Sequence, residues 1–198
     1  MNDKFFDLKK EKQDRMINAA LKIFGLYGYR FASTDEIVRE AGISKGLLFH
    51  YFGSKLGVYS FVYDYSVRYM SMEIKASVNP KETDFFTLCK QLEIGKLQVL
   101  KNYPYMQLFL DKCNEETVNE ALLAIEEKRT EFQRFCNEID SQADLSIFSS
   151  PSDGKKIRYM LKCAIQCTME KHFAEHSFHA EMLYDENIAY ITLLKNMI

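Results

Sequence analysis

Glycine and proline are scarce, at 8 and 3 in 198 residues, so the chain is short of the residues that shape tight turns, which argues against a turn-rich β fold. The five cysteines are odd in number, spread along the chain and without a CxxC pair. That pattern excludes a disulfide framework and fits reduced thiols inside a cell. No apolar stretch approaches the ~18 residues of a membrane span. The basic start, with Lys4, Lys9, Lys10 and Lys12, lacks the apolar run of a signal peptide, and a cytoplasmic location is expected. HExxH, GxSxG and the Walker A loop are missing, and no histidine has a glutamate three residues before it, as helical di-iron sites require. Neither catalysis nor a cofactor is expected.

What is present is material for a helical core. Apolar residues make up 47% and charged residues 27%, with 15 Phe and 12 Tyr, which together exclude a disordered chain. The fold class expected is all-α. Net charge is −2, but residues 1–60 hold ten Lys/Arg against seven Asp/Glu, leaving 16 against 21 for the rest. A basic head on an acidic body hints at nucleic acid at one end.

Met16, Ile17, Ala20, Leu21, Phe24 and Tyr27 form the stripe of an amphipathic helix from Lys9, which Gly28 ends. Ser33-Thr34-Asp35-Glu36 reads as a capping box, with Ser33 accepting from the amide of Glu36. The short helix that follows stops at Gly42, and Ser44 caps the next, with Ile43 and Leu48 as a hydrophobic staple. Two short helices joined by so tight a turn are a helix-turn-helix. On the second, Lys45, Gly46, Phe49 and His50 share one face, and Leu48, Tyr51 and Phe52 lie opposite. Long helices follow at Lys55–Ser77, Glu82–Asn102 and, past the break at Pro104 and an apolar segment from Tyr105 to Cys113, at Glu115–Asp140. A loop from Ser141 to Gly154 precedes two final helices, Lys155–His176 and Ala180–Met197.

The run Ala19-Ala20, Phe24, Gly28-Tyr29, Thr34, Ile37, Ala41-Gly42-Ile43-Ser44-Lys45-Gly46, Leu48-Phe49-His50-Tyr51-Phe52 and Ser54-Lys55 resembles the head of the TetR family of transcriptional regulators. The resemblance covers about residues 12–58. It implies a three-helix DNA-binding domain over residues 1–56, an effector-binding and dimerisation domain over 57–198, and a homodimeric repressor of a palindromic DNA operator, released by a small molecule. The second helix of such a motif enters the major groove. Lys45 can donate to guanine, Gly46 allows close approach, and Leu47 can meet a thymine methyl. Phe49 stands where Tyr is common, and both Leu47 and Phe49 have a buried alternative. Ser44, His50 and Tyr51 lie on the same helix or its cap, and Thr34 and Lys55 at helix N-termini suited to phosphate. For Tyr51 a packed ring with its hydroxyl at the surface is equally open. Asp35 would repel phosphate and suits the helix dipole.

In the body, Ile157, Met160, Leu161, Ala164 and Ile165, with Leu183, Tyr184, Ile188, Ile191 and Leu194 on the last helix, form stripes that complete the core or, as the family implies, pair with a second subunit. The resemblance also implies an effector pocket. Tyr103, Tyr105, Met106 and Phe109 beside the Pro104 break, with Phe85, Phe86, Cys89 and Met169, are its candidate lining, for an apolar or aromatic ligand. The competing reading is a metal or redox sensor using His172, His176 and His179 or the Cys163/Cys167 pair.

Overall fold

The computed structural model describes residues 3–198, and among these the chain forms nine α-helices and no strand beyond an isolated bridge between Asp84 and Asp144. After a 3-10 turn at Asp3–Phe5 come α1 (Lys10–Phe31), α2 (Thr34–Ala41), α3 (Lys45–Phe52), α4 (Lys55–Ser77), α5 (Phe85–Asn102), α6 (Met106–Asn114), α7 (Asn119–Gln142), α8 (Pro151–Ala174) and α9 (Ala180–Met197). No helix among the described residues is long and apolar enough to cross a membrane.

The chain packs as two compact units. One takes in the chain through Tyr69 together with Tyr103–Phe132, and the other comprises Met70–Asn102 and Gln133–Ile198. This partition differs from a division at residues 56 and 57. The reason is α6, which lies along α1 so closely that a Cβ on Gly25 would sit 3.3 Å from the backbone nitrogen of Phe109.

The first unit is built on aromatic rings. Phe24 meets Tyr59 at 5.1 Å between centroids, and Tyr59 meets Phe109 at 5.6 Å, all three fully buried. Phe5, 0% exposed, fills the gap between Phe52 and Phe61, with centroids 5.1 Å from each. Burying one such ring is worth about 1.5–3 kcal/mol. The Tyr103 hydroxyl donates to Asp14 at 2.7 Å and lies 2.5 Å from that of Tyr65. Gly28 does break the first helix, with φ 66° and ψ 174°, though one further turn runs to Phe31. The break deprives the Tyr29 amide of its helical acceptor. Glu116 accepts from it at 3.0 Å, and Glu120 accepts from the Tyr29 hydroxyl at 2.8 Å.

In the second unit Phe85, Phe86, Phe148, Leu161 and Ile191 form the core. Gly95 lets α5 approach the α4 backbone, where a Cβ would meet the Ile74 Cα at 3.0 Å. The helix starts differ from the sequence expectation where side chains cap the chain. Asp84 accepts from the Thr87 amide at 2.8 Å, so α5 begins at Phe85 and not Glu82. Ser150 accepts from the Asp153 amide at 3.2 Å, and Pro151 is placed in the first turn, where its missing N–H costs nothing. Hence α8 starts four residues before Lys155.

Candidate nucleic-acid interface

The segment from Ser33 to Phe52 is a helix-turn-helix by its backbone geometry. The Ser33 hydroxyl accepts from the Asp35 amide at 3.2 Å, one residue earlier than a capping box would have it, and Glu36 pairs with Arg39 at 3.7 Å. Gly42 takes the left-handed conformation, φ 63° and ψ 42°, and the Ile43 amide then donates back to the Val38 carbonyl at 3.0 Å. That closing bond is the one a helix-terminating glycine permits. Ser44 starts α3 by accepting from the Leu47 amide at 3.2 Å. Only Gly42, Ile43 and Ser44 separate the two helices.

Burial divides α3 as its periodicity predicts except at Phe49, which the period places on the outward face and the structure half-buries. Leu48, Tyr51 and Phe52 are buried; Lys45, Gly46 and His50 are exposed; Leu47 and Phe49 are half-buried. A Cβ on Gly46 would have nothing within 4 Å. The N-terminal half of α3 therefore presents a low, open surface with one cation.

That cation has a partner that sequence spacing does not single out. The Lys45 ammonium lies 2.9 Å from the Asp35 carboxylate, with both side chains largely exposed. The carboxylate at the start of α2 thus holds the lysine of α3 across the turn. Thr34 is half-buried at the first position of α2. Ser44 is exposed, with its hydroxyl engaged in capping.

Two of the proposed contact residues turn inward. Tyr51 is 8% exposed, its ring edge-on to Phe5 at 5.7 Å and to His50 at 5.1 Å, so its ring belongs to the core, as the packed alternative had it. Lys55 does not reach outward: its ammonium donates to the Arg30 carbonyl at 3.3 Å and lies 4.7 Å from the centroid of the Tyr29 ring. Burial lowers its pKa, while Glu116 and Glu120 act against that. An unsatisfied carbonyl at the end of α1 competes successfully for this lysine.

The residues named for a pocket do not form one site. Tyr103, Met106 and Phe109 are buried in the first unit, and Tyr105 is half-buried there at the start of α6. Phe85, Phe86 and Met169 are buried in the second unit, where Phe85 and Phe86 belong to the core cluster. Aromatic rings beside a helix break fill the space themselves. Among the eight, Cys89 alone lines the cavity of about 50 Å³ that opens in the second unit between α5, α7, α8 and α9. Leu88, Leu92 and Ile165 are among its apolar walls, and Glu93, Lys96, Asp140, Arg158 and Lys162 supply charge. Burial pushes the Cys89 thiol up to about 11.

The stripes named for a subunit interface also need correction. Leu161, Leu183 and Ile191 are buried within the protomer, and Ile157, Ile165, Ile188 and Leu194 pack against the Phe85 and Phe148 cluster. Ala164 and Tyr184 are half-buried, and Met160 is exposed. A helix has one dominant apolar stripe, and here the protomer core takes it. The apolar groups left outside are Tyr159 and Met160 on α8 and Met182, Leu193 and Met197 on α9.

His172 is buried, with Nδ1 3.2 Å from the Ser177 hydroxyl and Nε2 3.2 Å from Glu186. Among the described residues no three His, Cys, Asp or Glu side chains are placed to hold a metal. Cys163 is half-buried and Cys167 exposed.

Residues 16–60 match the bacterial regulatory proteins of the tetR family. The segment is 42% identical over 59 residues to the uncharacterized HTH-type transcriptional regulator YuxN of Bacillus subtilis, covering 28% of this chain and 20% of that protein. It is 41% identical over 49 residues to the uncharacterized HTH-type transcriptional regulator TtgW of Pseudomonas putida, covering 25% of this chain and 37% of that one. The match thus spans well under half the length of these curated relatives. Over nearly the whole chain, the fold is similar to a TetR-like transcriptional regulator from Rhodococcus sp. RHA1, with a TM-score of 0.60 at 17% identity, covering 93% of this chain and 96% of that one. It is likewise similar to a TetR family regulator from Chloroflexus aurantiacus, with a TM-score of 0.61 at 17% identity, covering 99% and 94%.

Proposed function

We propose, from the premise that the N-terminal helix-turn-helix belongs to the tetR family of bacterial regulatory proteins, that this chain is a homodimeric transcriptional repressor which binds a palindromic operator and is released by a small effector. The observation that carries the reading is α3, one face locked into the core by Leu48, Tyr51 and Phe52 and the other open at Lys45, Gly46 and His50. Residues 1–56 read DNA, and 57–198 bind effector and dimerise.

The N-terminal part of α3 lies in the major groove, with the Lys45 ammonium at a guanine edge and Leu47 within reach of a thymine methyl. Lys45 must exchange Asp35 for the base. An exposed ion pair is worth about 0.2–1 kcal/mol, so the exchange is inexpensive and lets a wrong base be refused by leaving the pair intact. Thr34 and the α2 N-terminus meet phosphate through free amides, which fixes register without choosing sequence. The exposed apolar groups of α8 and α9, Tyr159, Met160, Met182, Leu193 and Met197, support a second copy as partner. A twofold axis sets two α3 helices one DNA turn apart, about 34–36 Å. α4 and α7 each run from one compact unit into the other, so an effector that favours one arrangement of these helices changes operator affinity by its own differential affinity for the two states.

Selection of duplexes from a random pool by the purified full chain tests this. An enriched inverted repeat whose binding weakens steeply with salt is expected, because neutralised phosphates release counterions. Failure to enrich any sequence, with no salt-dependent duplex binding, overturns it.

A further inference from the structure

The cavity of the second unit carries more positive charge than its walls balance. Its lining includes three cations, Lys96, Arg158 and Lys162, against two carboxylates, Glu93 and Asp140. Glu93 is satisfied on both oxygens: Lys96 lies 2.8 Å from one, and the Asn187 amide donates to the other at 2.8 Å. Asp140 is shared. Its carboxylate meets Lys162 at 2.7 Å on one oxygen and Arg158 at 3.4 Å on the other.

Arg158 is anchored in place, donating also to the Asp140 backbone carbonyl and lying 5.1 Å from the centroid of the Phe85 ring. The side chains of Arg158 and Asp140 are only 17% and 22% exposed, so water screens that pair poorly, whereas the Lys162 side chain is 59% exposed. The Cys89 thiol, held neutral by burial, adds no negative charge. The same lining includes the apolar side chains of Leu88, Leu92, Leu161, Ile165 and Ile191.

We propose that this cavity binds a small amphipathic monoanion, a carboxylate with a short alkyl tail, whose head takes Arg158 and Lys162 from Asp140 and whose tail lies against the leucine and isoleucine wall. A guanidinium fork and an ammonium suit a carboxylate oxygen pair. An amine would find only carboxylates already supplied with donors, and a wholly apolar ligand would leave the excess charge uncompensated. The volume of about 50 Å³ admits only a short tail before the helices part. Exchange of the head for Asp140 unties the last turn of α7 from α8, to which Arg158 and Lys162 belong. This rests on the effector-responsive reading and deepens it by giving the effector a chemical class.

The test is calorimetric binding of butanoate, 1-butanol and butylamine to the purified full chain without DNA. Butanoate is expected to bind about tenfold tighter than butanol, the size of one charge-assisted hydrogen bond, and butylamine more weakly than either. Lys162, with 59% of its side chain exposed, can be replaced without loss of packing. Lys162→Gln should weaken butanoate several-fold and leave butanol unchanged, whereas Asp140→Asn, which removes the competing carboxylate, should tighten butanoate. Butanol or butylamine binding as tightly as butanoate overturns the proposal, as does butanoate affinity unmoved by both substitutions, or no butanoate binding to the folded protein. A chain that binds butanoate but selects no operator defeats the DNA reading alone, and one that selects an operator but ignores butanoate defeats this proposal alone.

Discussion

Replacing Gly57 with alanine sets two effects of opposite sign against each other. Gly57 lies in the first turn of α4, where its amide donates to the Ser54 hydroxyl at 3.0 Å. By helix propensity alone, Gly→Ala in a helix gains up to about 1 kcal/mol. A Cβ at this position, however, would lie 1.9 Å from the Phe52 carbonyl oxygen and 3.0 Å from its carbon. Real Cβ atoms essentially never come closer than 3.0 Å, so the oxygen and the new methyl must separate by about 1 Å, and the obstacle is backbone that cannot rotate aside. Overpacking of this kind costs about 1–3 kcal/mol, with rigid obstacles at the upper end. The net expectation is a loss of about 2 kcal/mol, a fall in Tm of about 4–8 °C for a chain of this size. Because the strain falls on the joint between α3 and α4, operator affinity should fall as well. Thermal unfolding followed by circular dichroism, with Gly46→Ala as the control, checks it. A methyl on Gly46 would have nothing within 4 Å, so that alanine variant should match or exceed the parent. A Gly57→Ala protein as stable as the parent would refute the steric argument and leave propensity in charge.

Three further outcomes are expected at charged and titrating groups, and one at the interface. Lys45→Ala should flatten base preference at one operator position by about 1–3 kcal/mol. Lys55→Ala should instead lower stability by about 1 kcal/mol, through the lost Tyr29 ring and Arg30 carbonyl contacts, and leave the salt slope of DNA binding unchanged; a flatter slope would return Lys55 to the phosphate backbone. Burial, and the hydrogen bond it donates to the Glu120 carboxylate, push the Tyr29 hydroxyl up to about 12. The unfolded chain releases that proton near pH 10, so this stability is present below pH 10 and is lost as pH rises towards 12, about 2–3 kcal/mol in all. Urea midpoints should therefore fall less steeply with alkaline pH in Tyr29→Phe, and equal slopes would count against it. Leu193→Glu, on the exposed side of α9, should give a folded monomer in sedimentation, while Leu161→Ala should cost about 2–5 kcal/mol of stability as a buried truncation. The opposite assignment would restore the buried stripe as the interface.

The head is legible in the sequence because its signals are local. Ser33, Gly42 and Ser44 mark helix ends by chemistry that acts within a few residues, and the structure changes only the register of one cap, from Glu36 to Asp35. The inward face of α3 follows from helical period, which places Leu48, Tyr51 and Phe52 together. The pairing of Lys45 with Asp35 is not legible in the same way, because it depends on how the turn brings two helix N-termini together. Lys55 escapes a local reading for the same reason: its acceptor, the Arg30 carbonyl, lies 25 residues away.

In the body, periodicity locates α8 and α9 but not the use of their faces. Ile157, Leu161, Ile188 and Ile191 are apolar whether they meet Phe148 or a second subunit, and a hydrophobic stripe carries no label for its partner. Likewise Phe109 and Phe85 lie near helix starts, yet one packs on Tyr59 and the other on Phe148. The sequence by itself determined the helical class, the helix-turn-helix and the outward face of α3, since scarce glycine and proline, caps and period are properties of neighbouring residues. The tertiary structure alone decided which apolar stripe became core, which lysines remained outward, and that two cations share Asp140 beside a cavity. Those depend on packing and charge balance between segments far apart in the chain, where no local preference can act.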